Sequence, residues 1–420
     1  MYCGSCLHDN ALAKALLAEG HDALLVPTYT PILTDESSVA RDKLFYGGLN
    51  VYLQQVLPIA RWMPKWSDSF LSTPRLVRWI ATRAMGTTAD KLGGLTVSML
   101  QGRHGNQRKE VDRLVDWLAG DIRPEAIIFS NLLIGGAIPE IRRRVNSTIV
   151  VILQGDDAFF DQLPEPFASQ SIKLLQQIAR EVDLFLVHSR AYGLRMQERL
   201  ALRPDQWQVT PLTLDTSDFI NFERASPDPA AMPAVGYLAR LAPEKGLHVL
   251  ADAFIELAAR QPNVRLEIAG WLGKQHQDYW QSIESRFAAA GVGPRVRYWG
   301  SVDRQGKLDF LRSIDVLSVP VTHFEPKGLF ALEALAAGVP IVLPAHAAFP
   351  ELIQRLGGGV LVPPNDASAL ATALQAMLAD LPAARALGAQ GRRAVLEHST
   401  TAHEARRLVE LLRAVKRTAA

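Results

Sequence analysis

Glu325 and Glu333 are the residues of this chain whose types and spacing point most directly to chemistry, with seven residues between them. A turn is predicted at Gly328, and strong helix formers predict a helix over residues 329–337. The backbone N–H groups of residues 327–329 would then point out of the helix start, where an anion binds readily. One carboxylate beside that start suits the hydroxyls of a sugar, and the other suits a ribose diol.

These groups together suit a nucleotide sugar, which is a diphosphate with a sugar at one end and a ribose at the other. Two glutamates near a helix start also complement the helix dipole without binding any ligand. The spacing alone leaves both interpretations open.

A second candidate set lies in the run Gly236-Tyr-Leu-Ala-Arg240-Leu-Ala-Pro-Glu-Lys245-Gly246. A strand is predicted to end near Leu238 and a helix to begin near Gly246, so the loop between them presents Arg240 and Lys245. A guanidinium and an ammonium at the carboxyl end of a strand suit a diphosphate, because α/β sheets bind ligands at that edge. The alternative interpretation is that both are solvated loop charges.

The composition fits a globular protein of two domains: 420 residues, 48% of them apolar and 21% charged. A formal net charge of +2 argues against a dedicated nucleic-acid-binding protein. No run of about 18 apolar residues indicates a membrane-spanning helix, and the polar first turn does not resemble a signal peptide. We therefore expect a cytoplasmic protein, with a peripheral contact at the inner face of the membrane as an alternative.

Cys3 and Cys6 are the two cysteines of the chain, which fits a reducing compartment and not a disulfide scaffold. Their C-x-x-C spacing also occurs in redox and zinc sites. No strand precedes this pair and no second pair follows it, so the spacing favours neither role.

Short apolar runs alternate with helical periods, which predicts doubly wound α/β domains with parallel sheets. We assign residues 1–221 to a first domain, and the family resemblance described below implies that this domain lies on the acceptor side. Its predicted strands are 23–26, 126–129, 148–153, 183–188 and 207–212. Its predicted helices include 7–19, 137–144 and 171–182.

Residues 222–233 contain three prolines and little periodicity, and are predicted to be a linker. The second domain, 234–398, binds the nucleotide sugar in this interpretation. Its predicted strands are 234–238, 264–269, 295–299, 315–319, 340–343 and 359–362. Residues 399–420 contain a predicted helix, 401–416, whose apolar face must pack somewhere, and the first domain is a candidate.

A Rossmann-like domain begins with a strand, a glycine loop and a helix, but here the predicted helix 7–19 already follows the first six residues. The first domain therefore lacks its first β-strand, and we expect that strand upstream of Met1. The other explanation, a fold without a central strand, would leave backbone edges unpaired.

Together these features resemble the retaining glycosyltransferases of the GT-B fold, in the large family four that includes sucrose-phosphate synthases and bacterial mannosyltransferases. The resemblance covers nearly all of residues 234–395, and in the first domain it depends mostly on pattern. The matching elements are the Arg240 to Lys245 loop, Ile268-Ala-Gly270, Trp299-Gly300, Asp315-Val-Leu-Ser-Val-Pro320, Glu325-x7-Glu333 and Ala337-Gly338-Val-Pro340. It implies two Rossmann-like doubly wound domains facing a cleft.

The resemblance implies three catalytic residues. Arg240 and Lys245 would hold the donor pyrophosphate and stabilise the departing phosphate, and Glu325 would face the transferred sugar. Fixed cations at the point where charge develops are a large catalytic contribution. The family needs no metal, in agreement with the absence of an Asp-x-Asp motif, so we expect no metal and no cofactor.

The resemblance also implies a set of donor-binding residues. Glu333 would bond the ribose, and the amides near Gly328 and Leu329 would hold the sugar hydroxyls. In the first domain, the run after strand 148–153 is Gln-Gly-Asp-Asp, where the family often shows a histidine that reaches the sugar. The predicted donor-binding residues are Glu333, Gly328, Leu329, Gly236, Gln154 and Asp156.

Two further residues near Glu325, Lys327 and His323, need separate comment. The family often has an aromatic residue where Lys327 stands. Lys327 would either bind an anionic group near the sugar or point to solvent. His323, two residues before Glu325, reads as an ordinary loop histidine.

Residues 61–91 contain four large aromatic residues among basic ones. Such a stretch could lie on an anionic membrane surface, or it could be an acceptor-side insertion with its aromatic side chains packed inward.

The prediction is a retaining glycosyltransferase that moves a sugar from a nucleotide-diphosphate sugar to an unknown acceptor: a glycan, a lipid or a small molecule. A non-catalytic nucleotide-sugar-binding protein and a sugar-nucleotide epimerase of the same architecture are the alternatives. The sequence identifies neither the donor base nor the sugar, the acceptor or the oligomeric state, and it leaves open whether the chain from Met1 is the complete functional protein.

Overall fold

The computed structural model describes residues 4–28, 38–40, 89–224 and 231–418. Contacts divide the described residues into two compact units. The C-terminal unit contains residues 211–404 together with residues 4–12. The N-terminal unit contains the remainder up to residue 210, together with the end of the chain from residue 405.

The N-terminal unit contains a sheet of four parallel strands in the order β1-β2-β3-β4. The central strands are buried, as continuous apolar runs require of a sheet covered on both faces. The strands are β1 (Ala126–Phe129), β2 (Thr148–Leu153), β3 (Leu184–Val187) and β4 (Trp207–Val209).

The helices of the first half of the chain alternate with these strands. Ser189 caps α7 by accepting a hydrogen bond from the backbone N–H of Tyr192. The helices are α1 (Gly4–Ala18), α2 (Ala89–Leu100), α3 (Arg108–Trp117), α4 (Ile138–Arg144), α5 (Asp157–Phe160), α6 (Phe167–Ala179) and α7 (Arg190–Leu200).

The predicted strand 23–26 is wrong. Among the described residues, this run forms an isolated bridge between Leu25 and Ala40 in place of a ladder. Residues 23–26 are only partly buried and Pro27 follows them without a backbone donor, so the short apolar run does not extend into a ladder. The first regular element of the described residues is α1.

The C-terminal unit contains a sheet of six parallel strands in the order β10-β9-β8-β5-β6-β7. Its strands are β5 (Ala234–Leu238), β6 (Arg265–Ala269), β7 (Val296–Tyr298), β8 (Val316–Ser318), β9 (Ile341–Pro344) and β10 (Gly359–Val362). The chain order reverses between the neighbours β5 and β8. Loops that follow these two strands therefore leave the sheet side by side, where such folds bind ligands.

Helices of the C-terminal unit enclose one apolar core with β5 and β8 near its centre. The helices are α8 (Leu247–Arg260), α9 (Gln277–Ala289), α10 (Arg304–Ser313), α11 (Leu329–Ala336), α12 (Phe349–Leu356), α13 (Ala367–Ala379) and α14 (Leu381–His398).

The last helix, α15 (Thr401–Thr418), carries Leu408 and Leu411 on its buried side. Its residues from 405 onward belong to the N-terminal unit, where Arg406 pairs with Glu19.

Among the described residues, no helix is both long and apolar enough to cross a membrane. Nearly all of the predicted membrane-contacting stretch 61–91 lies outside the described residues, and so do residues 225–230 of the predicted linker.

Candidate functional site

The strongest candidate site lies at the carboxyl ends of β5 and β8. The loop after β5 carries Arg240 and Lys245, and the loop after β8 carries Glu325. Lys245 Nζ donates to Glu325 Oε2 at 2.6 Å, across 80 positions of sequence. The fold thus joins two motifs that the sequence analysis singled out separately.

The Glu325 carboxylate is ionised. Burial raises the pKa of this group, but the ammonium of Lys245 outweighs burial and, with His323 and Lys327, lowers the pKa to about 2. Glu325 is 5% exposed, and its other oxygen accepts a hydrogen bond from the backbone N–H of Gly328 at 3.2 Å. These two hydrogen bonds fix the orientation of the Glu325 carboxylate.

Two structural features hold the Lys245 loop. The buried Tyr237 hydroxyl donates to the carbonyl oxygens of Arg240 at 3.1 Å and Lys245 at 3.3 Å. Gly246 then begins α8 with φ of 73°, and a Cβ there would lie 1.8 Å from the carbonyl oxygen of Pro320. Only glycine fits this approach, so the turn that positions Lys245 depends on it.

The start of α11 is built as predicted around Gly328, which has φ of 79°. A Cβ at this position would lie 2.8 Å from the ring of Phe349, so glycine is required for both conformation and space. Leu329 is the first residue of the helix, as the sequence predicts, and the first N–H groups of a helix have no acceptor within the helix itself.

Glu333 lies one turn inside α11 and is 7% exposed. Its Oε1 accepts a hydrogen bond from Lys307 Nζ at 2.7 Å. Lys307 comes from α10, and the sequence analysis did not single it out. One sequence signal could have found it: lysine near the start of a helix opposes the dipole and needs an acidic partner.

Arg240 is more exposed than Lys245. Its guanidinium contacts Glu244 at 3.2 Å, and 44% of its side chain is accessible. Arg240 is thus held next to the Lys245 turn with part of its donor fork free to contact solvent or a ligand.

His323 lies closer to the site than its sequence position suggested. Its Nδ1 donates to the carbonyl oxygen of Glu244 at 2.9 Å, and its Nε2 lies 3.6 Å from Glu325 Oε2. Burial and the charge of Lys245 lower the pKa of His323, so the ring is neutral at pH 7.

Lys327 does not extend into solvent. Its side chain is partly buried, and Nζ donates to the hydroxyl of Ser5 at 2.9 Å. Gly4 lies beside Leu329, since a Cβ on that glycine would be 3.8 Å from the leucine side chain. The first turn of α1 therefore meets the first turn of α11 within the C-terminal unit.

A second buried ion pair lies one turn further along α1. His8 Nε2 donates to the Glu404 carboxylate at 2.9 Å, and the Thr213 hydroxyl also donates to this carboxylate. Burial lowers the pKa of His8, but Glu404 and Asp9 outweigh burial and raise it to about 9. We call His8, Thr213 and Glu404 the brace, because it joins three distant parts of the chain.

His8 and Thr213 of the brace and the Glu333–Lys307 pair line one small cavity of about 30 Å³. That space holds roughly two water molecules, so a nucleotide does not fit inside it.

For three of the predicted donor-binding residues, the structure shows packing or hydrogen bonds with other parts of the protein. Gly236 is buried in β5, and a Cβ there would lie 2.4 Å from Ile314, which explains the glycine by packing. Gln154 is buried at the end of β2 in the N-terminal unit, and Asp156 accepts a hydrogen bond from the N–H of Leu132 at 3.3 Å. Their contact with a donor stays a prediction.

Hydrogen bonds from distant residues, which the sequence did not predict, fix the position of the Gly155-Asp-Asp run. The Gly155 N–H donates to the Tyr192 hydroxyl at 3.1 Å, and that hydroxyl donates to Asp157 at 2.8 Å. Arg195 also donates to Asp157 at 2.8 Å. No local pattern marks these partners, which are 35 or more positions away.

Comparison with known proteins gives this geometry its context. Residues 219–394 match the family model "Glycosyl transferases group 1". The phosphatidyl-myo-inositol mannosyltransferase of Mycobacterium leprae is 33% identical over 201 residues, which are 46% of this chain and 51% of that protein.

A second relative is the GDP-mannose-dependent alpha-(1-6)-phosphatidylinositol monomannoside mannosyltransferase of Mycolicibacterium smegmatis. It is 29% identical over 211 residues, which are 46% of this chain and 54% of that protein. The chain thus spans about half the length of the curated relatives it matches.

The fold extends over more of the chain than the sequence similarity. The sucrose-phosphate synthase of Thermosynechococcus elongatus superimposes with a TM-score of 0.69 at 22% identity, over 97% of this chain and 92% of that one. Two parallel α/β units with this likeness confirm the predicted fold class. The chain has the GT-B fold, and its residues 219–394 match the model of the glycosyl transferases group 1 family.

Proposed function

We propose that this protein is a retaining glycosyltransferase that moves a sugar from a nucleotide-diphosphate sugar to an acceptor. The observation that carries the proposal is the Lys245–Glu325 contact of 2.6 Å at the start of α11. It combines a cation for a phosphate, a carboxylate for hydroxyls and free helix N–H groups in one place.

The donor diphosphate is assigned to Arg240, Lys245 and the start of α11. An ammonium has three N–H donors, so Lys245 can keep its bond to Glu325 and still donate to a phosphate oxygen. Arg240 has part of its guanidinium accessible for a second oxygen. These donors are in place before reaction, as stabilisation of a departing diphosphate requires.

Glu325 is assigned to the transferred sugar as a hydrogen-bond acceptor. Its two oxygens already bond Lys245 and the Gly328 N–H, and its low pKa keeps it a weak base. This suits a group that orients hydroxyls better than a nucleophile or a general base. Glu333, held by Lys307, is assigned to the ribose.

Retention follows if the acceptor attacks from the face that the diphosphate leaves. The bond from the anomeric carbon to the diphosphate oxygen breaks, and the bond to the acceptor oxygen forms on the same face. The acceptor proton goes to the departing phosphate oxygen, so no protein base is needed in this step.

No metal ion is assigned to this reaction. The ammonium of Lys245 lies against Glu325, and a cation at that carboxylate would repel it. We expect turnover to persist in the presence of a chelator.

The relatives suggest the first donors to try. One is named as GDP-mannose-dependent and another as a mannosyltransferase. The test is release of nucleoside diphosphate from GDP-mannose, UDP-glucose, ADP-glucose and UDP-glucuronic acid, with NMR detection of the anomer formed.

Glu325→Gln separates an enzyme from a binding protein. The enzyme account predicts that this variant binds the nucleoside diphosphate and loses turnover. Glu267→Gln is the matched control, since Glu267 is also buried and paired with an arginine, Arg265, in the same unit. Nucleotide binding by the wild-type protein without turnover of any donor would favour the binding protein instead.

A further inference from the structure

His323 is a partly buried residue of the candidate site to which the proposed function assigns no role. It lies in the loop after β8, two residues before Glu325. Its Nδ1 lies 2.9 Å from the carbonyl oxygen of Glu244, in the loop after β5. A carbonyl oxygen can only accept, so Nδ1 carries a proton and the ring links the two loops.

The Glu244 carbonyl is a point at which these two loops are joined. It accepts hydrogen bonds from His323 Nδ1 at 2.9 Å and from the backbone N–H of Thr322 at 3.0 Å. Glu244 stands directly before Lys245, whose ammonium returns to the second loop at Glu325. The hydrogen bonds of Glu244 and Lys245 thus cross between the same two loops, and a shift of Glu244 would move Lys245.

The loop that carries His323 is itself held by a third loop, the one after β9. His346 of that loop donates from Nε2 to the carbonyl oxygen of Val321 at 3.0 Å. The backbone N–H of Ala348 donates to the carbonyl oxygen of Glu325 at 3.3 Å. The segment from Val321 to Glu325 is therefore fixed near both ends, and His323 projects from the backbone between them.

The charge state of His323 suits a group that holds Glu244. Its Nε2 lies 3.6 Å from Glu325 Oε2, the oxygen that accepts the hydrogen bond from Lys245. Burial and the charge of Lys245 lower the pKa of His323, so the ring is neutral at pH 7. A permanently charged side chain at this position would compete with Lys245 for Glu325, whereas a neutral donor leaves that contact undisturbed.

Building on the proposed function, we propose that His323 is a positioning residue of the donor site. Its Nδ1–H holds the Glu244 carbonyl and thereby keeps Arg240 and Lys245 in the arrangement that binds the donor diphosphate. His323 contributes to donor binding through Glu244 and does not itself contact the diphosphate in this proposal.

The two nitrogens of the ring can be separated by substitution. Asparagine carries its amide nitrogen on Cγ, as histidine carries Nδ1, so His323→Asn retains a neutral donor for Glu244. His323→Gln places its amide nitrogen one bond further out, closer to the position of Nε2. His323→Leu removes both nitrogens.

The test is calorimetric titration of UDP, GDP and ADP into the wild type and these three variants, with urea unfolding to show that each is folded. For the nucleotide that binds, we expect His323→Leu and His323→Gln to bind about tenfold more weakly than the wild type. His323→Asn should bind within about threefold of the wild type. His398→Leu, at a histidine whose side chain is 69% exposed, is the control and should bind as the wild type does.

Equal affinity in all the proteins would overturn the inference and leave the proposed function intact. Rescue by glutamine and not by asparagine would also overturn it, because the ring would then act through Nε2. So would an asparagine variant that binds as weakly as the leucine variant. If His323→Leu does not fold, the comparison of asparagine with glutamine still decides. A wild-type protein that binds no nucleotide would overturn the proposed function together with the inference.

Discussion

The Lys245–Glu325 pair and the brace pair His8–Glu404 place one kind of contact in two settings. The carboxylate of each pair is buried, and both pairs join residues far apart in sequence. The first lies in loops at the ligand-binding edge of a sheet, and its ammonium retains N–H donors for a further partner. The second joins α1 to α15, and Thr213 adds another hydrogen bond to the same carboxylate.

The difference between the two pairs shows in their titration. The ammonium of Lys245 lowers the pKa of Glu325 to about 2, whereas Glu404 and Asp9 raise the pKa of His8 to about 9 against the effect of burial. Both pairs are ionised at pH 7. A buried pair does not by itself indicate function, and what distinguishes the first is its place at the strand ends beside a helix start.

Replacement of Lys245 should give the largest effect on turnover. Lys245→Met removes a donor to the departing diphosphate and leaves Glu325 buried without its ammonium. We expect kcat/KM to fall about 100- to 1000-fold. Lys274→Met, at an exposed lysine of the same unit, is the control, and equal activity of the two variants would contradict the assignment.

Replacement of Glu404 should affect stability instead. Glu404→Gln removes one of the two carboxylates that face the buried His8, with Asp9 remaining, and should lower the free energy of unfolding by about 3 kcal/mol. Thermal and urea unfolding measure this, with the exposed Glu410→Gln as the control. Turnover per folded molecule should change less than about threefold. A stable variant with lost turnover would remove the contrast between the two pairs.

The pH dependence of unfolding sharpens the same contrast. Because the pKa of His8 is raised in the folded state, its stabilising contribution is complete below the unfolded value of 6.5 and declines as pH rises through about 9. The stability advantage of the wild type over Glu404→Gln should shrink between pH 7 and pH 10. An advantage that grows over this range would show that His8 is neutral in the folded protein.

Lys307 should give a smaller effect than either pair. Lys307→Met releases Glu333, the carboxylate assigned to the ribose, and should weaken nucleoside diphosphate affinity about tenfold. The turnover number at saturating donor should stay within about threefold. Direct titration and donor saturation curves together check this, and an unchanged affinity would remove Glu333 from the ribose assignment.

The fold was predictable where local pattern decides it. The runs at β1, β2, β5 and β10 are bounded as the sequence predicts, since each is a continuous apolar segment between turn signals. The run 23–26 looks similar, but within the described residues it forms an isolated bridge, Leu25 to Ala40, in place of a ladder. A strand forms only where a second strand pairs with it, and the residues of the run itself do not show whether the fold supplies that partner.

The candidate site was predictable in its residue types and not in its partners. Glu325, Glu333, Arg240 and Lys245 were found because turns, glycines and helix formers surround them. Their contacts were not, because Lys245 meets Glu325 over 80 positions and His8 meets Glu404 over 396. Such pairs arise when the fold brings distant elements together, and no local period records them.

The measurement that tests the central claim most directly is calorimetric titration of UDP, GDP and ADP into wild type, Arg240→Ala and Arg286→Ala. Arg240 and Arg286 are both 44% exposed, and each pairs with one acidic residue. Arg286→Ala therefore controls for the loss of an exposed, ion-paired arginine. We predict that one nucleotide binds the wild type and Arg286→Ala alike, and binds Arg240→Ala at least about tenfold more weakly. Equal binding by all three proteins, or binding by none, would contradict a donor site at the ends of β5 and β8.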